Sequence, residues 1–163
     1  MRQKTSTLQL ACGLQGIVSG GQTGVDRAAL DVAAELDLPR GGWCPRGRIA
    51  EDGVLGPEYP LRETLSRQYQ VRTRLNVRDS DATLILARGP LTGGTEFTRV
   101  CAERLGRPLL VIDLDEPENL ERIRTWLTEH RVGVLNVAGP RESTSPGVYE
   151  AAAALLRELL HEG

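Results

Sequence analysis

The chain has 163 residues, of which 40% are hydrophobic and 26% charged, with a formal net charge of −2. This composition is typical of one globular domain, and the small net charge disfavours general electrostatic binding to nucleic acid. No apolar run is long enough to span a membrane, and residues 1–14 lack the apolar core of a signal peptide. We therefore expect a cytoplasmic protein with a lead-in segment, residues 1–15, and one ligand-binding domain, residues 16–163.

Three widely spaced cysteines, Cys12, Cys44 and Cys101, argue against a disulfide framework and against a zinc knuckle. Cys44 follows a strand pattern and precedes Pro45, where a thiol could touch a soft metal or a sulfur-bearing cofactor. A small buried thiol is the commoner case, and we favour it. The sequence predicts no metal site.

Apolar runs alternate with helical patterns along the chain. We predict strands near residues 17–18, 41–44, 82–87, 108–112 and 132–137, with helices following them. Helices are predicted near residues 25–36, 72–79, 96–105 and 117–129, and a last one starts near Ser145, with Ser145 as N-cap and Pro146 at its first position. The pattern predicts an α/β fold: a mostly parallel sheet between two layers of helices.

A glycine-rich corner, residues 19–24, joins the first predicted strand to the first helix. Gly20, Gly21 and Gly24 would allow a tight turn and close approach of a ligand, and the amides of the helix start could bind an anion. Thr23 and Asp26 also fit a capping box, which requires no ligand. The corner matches neither the Walker A motif nor GxGxxG.

Two further corners, after the strands at 82–87 and 132–137, are also rich in glycine and hydroxyl residues. Parallel strands end at one sheet edge, where open α/β sheets bind ligands, so the three corners predict a phosphate or nucleotide pocket. Gly93, Gly94, Thr95 and the Thr92 hydroxyl are candidate phosphate ligands, although Thr92 or Thr95 could simply cap a helix. Glu96 could simply stabilise the helix start; alternatively, its carboxylate could lie beside the pocket and accept hydrogen bonds from ribose or pterin donors, or act as a general base.

Several arginines have two interpretations each. Arg141 could bind an oxyanion or form a surface ion pair with Glu142. Arg46 and Arg48, on the long segment 45–60 that is dense in glycine and proline, have the same two interpretations. A further set could form a solvated helix face: Arg72, Arg74 and Arg78.

Several motifs resemble the molybdenum cofactor carrier family: residues 19–31, 42–53, 73–85, 93–95 and 135–143. The resemblance implies a single three-layer Rossmann-like domain and a homo-oligomer, in a superfamily that includes lysine-decarboxylase-like phosphoribohydrolases. Those hydrolases carry PGGxGTxxE, whereas here Glu96 follows Thr95 directly and Thr98 stands at the position of their acid.

We thus expect a carrier for molybdenum cofactor (molybdopterin) or a related nucleotide-like ligand, with a molybdoenzyme as acceptor. The alternative is a phosphoribohydrolase that cleaves the N-glycosidic bond of a nucleoside monophosphate through Glu96; a nucleotide sensor is a weaker third hypothesis. The candidate ligand-binding residues are Gly20, Gly21, Gln22, Thr23, Gly24, Arg46, Thr92, Gly93, Gly94, Thr95, Glu96 and Arg141.

Overall fold

The structure, a computed structural model, describes residues 13–116 and 119–161. Five helices occur within these residues: α1 Val25–Glu35, α2 Tyr69–Arg78, α3 Gly93–Arg104, α4 Asn119–Glu129 and α5 Val148–Leu160. The strands in the same residues are β1 Gly16–Val18, β2 Arg40–Gly41, β3 Trp43–Cys44, β4 Ile49–Ala50, β5 Gly53–Val54, β6 Arg62–Glu63, β7 Ala82–Ala87, β8 Leu109–Asp113 and β9 Val134–Ala138.

The central sheet has five strands in the order β2-β1-β9-β7-β8, and every neighbouring pair is parallel. β7 lies inside this sheet, and all six of its residues are buried. Its continuous apolar sequence is therefore explained, since a parallel strand covered on both faces buries successive side chains alternately on each side. The predicted α/β fold with a parallel sheet is confirmed.

The last strand in the chain, β9, occupies the middle of the sheet between β1 and β7. If the β9–α5 unit were placed before β1, the sheet would read 3-2-1-4-5, the strand order of a doubly wound fold. The switch point of such a sheet, where the strand order reverses, lies beside its first strand, here β9. The geometry therefore places a ligand crevice at the carboxyl ends of β1, β9 and β7.

Helices cover both faces of the sheet, as predicted. α1, α4 and α5 pack together on one face and share the largest hydrophobic cluster with the sheet. α2 and α3 pack against each other over a smaller cluster of Val77, Cys101 and Ala102. The face under α2 and α3 also carries buried polar residues, among them Thr83 and Asn136. This polar face is the one on which the site described below is built.

Segment 43–63 folds as a small separate layer beside α1. β3 pairs with β6 and β4 with β5, each strand only two residues long. A second apolar cluster fixes the layer to α1 through Leu30. The Arg48 guanidinium donates to four backbone carbonyls of the same segment, those of Leu55, Gly56, Tyr59 and Leu61. Arg48 thus holds this layer together through hydrogen bonds to its backbone.

Two local predictions were wrong. The single strand predicted at 41–44 is divided at Gly42 into β2, in the central sheet, and β3, in a small sheet. The last helix does not begin with Ser145 as N-cap and Pro146 at its first position: its N-cap is Gly147. The Glu142 carboxylate instead accepts hydrogen bonds from the amides of Gly147 at 2.6 Å and Tyr149 at 3.0 Å.

Other predictions concern residues that the structure does not describe. Cys12 and most of the lead-in segment, residues 1–12, lie outside the described residues, as does Pro117, the predicted start of the fourth helix. In the described part of the chain, no helix combines the length and apolar character needed to cross a membrane.

Candidate functional site

A cavity of about 250 Å³ lies at the carboxyl edge of β1, β9 and β7. Its walls come from the first corner (residues 19–24), the second corner (88–95) and the third corner (139–144), together with α2. The predicted convergence of three corners on one edge of the sheet is therefore seen in the structure. The cavity is lined by Gly20, Gln22, Asp26, Tyr69, Arg72, Thr73, Asn76, residues 92–95, Thr98, Asn136, residues 138–141 and Thr144.

The start of α3 presents free backbone amides to this cavity. No group within residues 13–116 and 119–161 accepts a hydrogen bond from the amides of Gly93, Gly94 or Thr95, and the Thr92 side chain does not cap the helix. A Cβ on Gly93 would meet nothing within 4 Å, and one on Gly94 would only touch Tyr69 at 3.6 Å. The positive end of the α3 dipole thus opens onto unfilled space, which favours an anion.

The first corner is different, because its glycines approach protein atoms closely. A Cβ on Gly24 would lie 2.3 Å from Pro140 O, and one on Gly21 would lie 2.7 Å from a Leu55 methyl. The amides are also engaged: Gln22 N donates to Asp26 and Val25 N to Pro140 O. The predicted capping box is absent, since α1 has Gly24 as N-cap and no side-chain cap. The glycines here allow the first corner to pack against its neighbours.

Asp26, the second residue of α1, is a buried acid in the cavity wall. It is only 7% exposed, and its Oδ2 accepts a long hydrogen bond of 3.3 Å from Gln22 N. Burial raises the pKa of the Asp26 carboxyl, while the positive charge of Arg72 and the Gln22 amide act in the opposite direction. The cavity therefore contains a carboxylate whose desolvation is only partly compensated.

The sequence suggested that Arg72 lies on a solvated helix face, and this interpretation was wrong. Arg72 is 9% exposed and lines the cavity, where Nη1 donates to Gly20 O at 2.7 Å. A Cβ on Gly20 would lie 2.6 Å from this nitrogen and 3.0 Å from Asp26 Oδ2. Gly20 therefore allows a buried cation and a buried anion to stand side by side in one wall.

Two asparagines complete the polar wall. Asn76 pairs with the Trp43 backbone, accepting from its amide at 2.8 Å and donating to its carbonyl at 3.0 Å. Asn136 donates to the Thr83 hydroxyl at 3.2 Å. These side chains are held by protein partners, so they shape the cavity wall.

Glu51 joins the first corner, the third corner and the small layer at the mouth of the cavity. Its carboxylate accepts from the Ser143 hydroxyl at 2.5 Å and from the Thr23 hydroxyl, and these donors lower the pKa of the Glu51 carboxyl. Arg141 lies 3.9 Å from the same carboxylate, with its side chain 53% exposed. Arg141 thus pairs loosely with Glu51 instead of Glu142, the partner in one of the two interpretations of the sequence, and it also lines the cavity.

The predicted site residues divide into two groups. The first group lines the cavity: Gly20, Gln22, Thr92, Gly93, Gly94, Thr95 and Arg141. The second group does not: Gly21, Thr23, Gly24, Arg46 and Glu96. Arg46 is exposed, and its amide donates to Ser66 O. Glu96 is bound by Arg99, whose Nε lies 2.9 Å from Oε2, and this ion pair lowers the pKa of the Glu96 carboxyl.

Sequence reasoning missed several polar residues of the wall, among them Asp26 as a cavity group, Arg72, Asn76 and Asn136. A signal was present, since Arg72, Thr73 and Asn76 recur at helical spacing together with Val77. Such a mixed face indicates a helix that faces a polar interior.

A second depression, of about 340 Å³, lies beside β2. Its polar groups are paired with one another: Trp43 Nε1 donates to Asp79 at 2.9 Å, and the Arg62 guanidinium stands 5.8 Å from the Trp43 ring. In the parts of the chain that the structure covers, no cluster of three or more His, Cys, Asp and Glu side chains could hold a metal ion. The first cavity is therefore the candidate site.

Comparison with known proteins agrees with this architecture. The profile of the circularly permutated YpsA SLOG family matches residues 17–160, and no curated protein matches the chain. A crystal structure from Syntrophus aciditrophicus SB, described as a "putative molybdenum carrier protein", is 44% identical; the match covers 91% of this chain and 96% of that chain, with a TM-score of 0.89.

The family description names a circular permutation, and in the strand order seen here the unit that would come first in a doubly wound sheet, β9–α5, follows the other described strands and helices in sequence. The family resemblance inferred from the sequence motifs is confirmed. The chain belongs to the circularly permutated YpsA SLOG family.

Proposed function

We propose that this protein is a carrier that binds molybdenum cofactor, or a related phosphorylated ligand, in the cavity formed by the three corners. The observation that carries the proposal is the start of α3, where the amides of Gly93, Gly94 and Thr95 lack partners among the described residues and open onto the cavity. Arg141, on the third corner, lines the same cavity and adds a positive charge. The name of the 44% identical neighbour supports the same ligand class.

The size of the cavity supports a small phosphorylated molecule. Ligand pockets commonly measure roughly 300–1,000 Å³, and this cavity of about 250 Å³ is just below that range. A phosphate and one ring system would fill it, while the rest of a larger ligand would extend into solvent. Transfer of the cargo to a molybdoenzyme, and assembly into a homo-oligomer, stay predictions.

The contacts of Glu96 favour binding without hydrolysis. A phosphoribohydrolase needs a carboxylate at the scissile bond, but Glu96 is occupied by Arg99 and does not line the cavity. We expect no free base to appear when the protein is incubated with AMP or GMP. Release of base, measured by chromatography and lost in Glu96→Gln, would support the hydrolase instead.

Thermal unfolding in the presence of ligand tests the proposal. Molybdopterin released from a donor enzyme, at 100 times its dissociation constant, would stabilise the folded state by about 2.7 kcal/mol. For a chain of this length, that corresponds to a rise in Tm of roughly 5–10 °C. An unchanged Tm at saturating molybdopterin and at millimolar inorganic phosphate would overturn the proposal.

Gly94→Asp is the informative variant, with Gly94→Ser as its control. A Cβ fits at Gly94, and an acid in the first turn of a helix is favourable for folding. The new carboxylate would repel a phosphate from the α3 amides, so we expect Gly94→Asp to keep its stability and to lose the ligand-induced rise. Gly94→Ser should retain most of the rise; equal retention in both variants would exclude binding at α3.

A further inference from the structure

We propose that Asp26 and Arg72 select the ring of the ligand, and that they select one with a lactam edge, in which a ring N–H stands beside a carbonyl. Such edges occur in the 2-amino-4-oxopyrimidine ring shared by guanine and pterins. This inference rests on the proposed function, because it concerns the same cavity, but it names a ligand class and two residues that the phosphate argument does not use.

The first observation is an oxygen without a partner. The Ser19 hydroxyl lies close enough to Asp26 to lower the pKa of its carboxyl, but its hydrogen-bond acceptor is Val137 O at 2.6 Å, and the hydrogen bond that Asp26 accepts, from Gln22 N, is to Oδ2. Oδ1 accepts none among the described residues. No fully buried side-chain nitrogen or oxygen in these residues lacks a partner, so Oδ1 is not fully buried, and the surface that Asp26 lines is that of the cavity. A carboxylate oxygen in a wall that is otherwise buried needs an N–H or O–H donor, and the ligand can supply one.

The second observation is a donor beside this acceptor. Arg72 uses Nη1 on Gly20 O and Nε on Thr73, whereas its Nη2 reaches no acceptor in the residues described. The wall therefore offers one cation that donates and one carboxylate that accepts. A lactam edge matches this pattern, because its carbonyl accepts from a guanidinium and its N–H donates to a carboxylate. Adenine has the reverse order, an amino donor beside a ring nitrogen that only accepts.

The spacing in the sheet lets one molecule reach both ends of the cavity. Asp26 follows β1 and the α3 amides follow β7, with β9 between these strands. Two strand spacings make roughly 10 Å. Inorganic phosphate is too small to bridge that distance, whereas a nucleoside monophosphate or a phosphorylated pterin can.

Calorimetric titration with four probes tests the inference: GMP, AMP, neopterin monophosphate and inorganic phosphate. Wild-type protein should bind GMP or neopterin monophosphate, or both, about ten-fold tighter than AMP, the discrimination expected of one well-formed pair of hydrogen bonds. The relative affinities of GMP and neopterin monophosphate distinguish a guanine nucleotide from a pterin. Equal affinities for all three ring-bearing probes would overturn the inference while leaving the phosphate site in place.

Asp26→Asn removes the acceptor charge and keeps the shape of the side chain. We expect it to lose the preference over AMP and to keep its affinity for inorganic phosphate. Asp52→Asn is the matched control, because Asp52 pairs with Arg27 outside the cavity, and it should keep the preference. An Asp26→Asn protein that still prefers GMP or neopterin monophosphate would refute the role of Asp26. If the wild type binds none of the four probes, the proposed function itself fails.

Discussion

Replacing Gly24 by alanine should destabilise the protein strongly, because two costs coincide there. The backbone has φ +77° and ψ −129°, a conformation that only glycine adopts readily, and an L residue held in such a region costs about 1–3 kcal/mol. The new Cβ would also lie 2.3 Å from Pro140 O and 2.9 Å from two further backbone atoms. Since backbone cannot move aside locally, the third corner must shift.

That shift removes the hydrogen bond from Val25 N to Pro140 O, worth about 1 kcal/mol. We therefore expect Gly24→Ala to lower the free energy of unfolding by about 3–4 kcal/mol, measured by urea denaturation with unchanged m-value. Gly106→Ala is the control: φ is +63° there, but a Cβ meets nothing within 4 Å, so only about 1–2 kcal/mol is lost. Equal losses in both variants would refute the contact between the first and third corners.

Three further predictions concern the groups that hold the corners and the small layer in place. Glu51→Gln should make the free energy of unfolding less dependent on pH in the acid range. The pKa of the Glu51 carboxyl is lowered, first of all by the Ser143 hydroxyl, so its contribution to stability is present above pH 4.5 and is lost as the pH falls through the folded-state pKa. Urea denaturation between pH 3 and 7 checks this, and an acid dependence identical to that of the wild type would contradict it. Burial and a hydrogen bond to Asp31 raise the pKa of Tyr59 to about 12, so its contribution to the free energy of unfolding is complete below pH 10 and is lost as the pH rises through about 12. Absorbance titration should show a phenol that ionises near pH 12 and that is absent from Tyr59→Phe. Ionisation of Tyr59 near pH 10 would argue against the contact with Asp31. Arg48→Lys should loosen segment 43–63, because an ammonium cannot reach all four carbonyls that the guanidinium binds. We expect faster proteolysis within this segment, and an unchanged cleavage rate would show that the four hydrogen bonds of the guanidinium are dispensable.

The order of strands and helices could be predicted because long apolar runs and helical spacing are strong signals. β7, with six buried residues, is an example. β4, β5 and β6 could not be predicted, and β3 was predicted only as one strand with β2, since each of these strands is two residues long and has no period of its own. The packing of segment 43–63 depends on Arg48, whose partners are backbone carbonyls that leave no trace in the sequence.

The candidate site was predictable in its position, but only partly in its residues. Glycine motifs indicated where the corners lie, yet glycine serves different purposes in them: Gly24 makes room for Pro140, whereas Gly94 leaves open space. The buried polar residues Asp26 and Arg72 were assigned to capping and to solvent, because in most proteins such residues cap helices or face water. Their role follows from a cavity that forms only when three distant segments meet.

The most direct test of the central claim is an NMR titration of ¹⁵N-labelled protein with neopterin monophosphate, followed through the backbone amide signals. We predict that the amides of Gly93, Gly94 and Thr95 shift as they acquire a phosphate acceptor, while the Gly106 amide, at the other end of α3, stays unchanged. Shifts confined to the depression around Trp43 and Arg62, with the α3 amides unmoved, would contradict the assignment of the binding site.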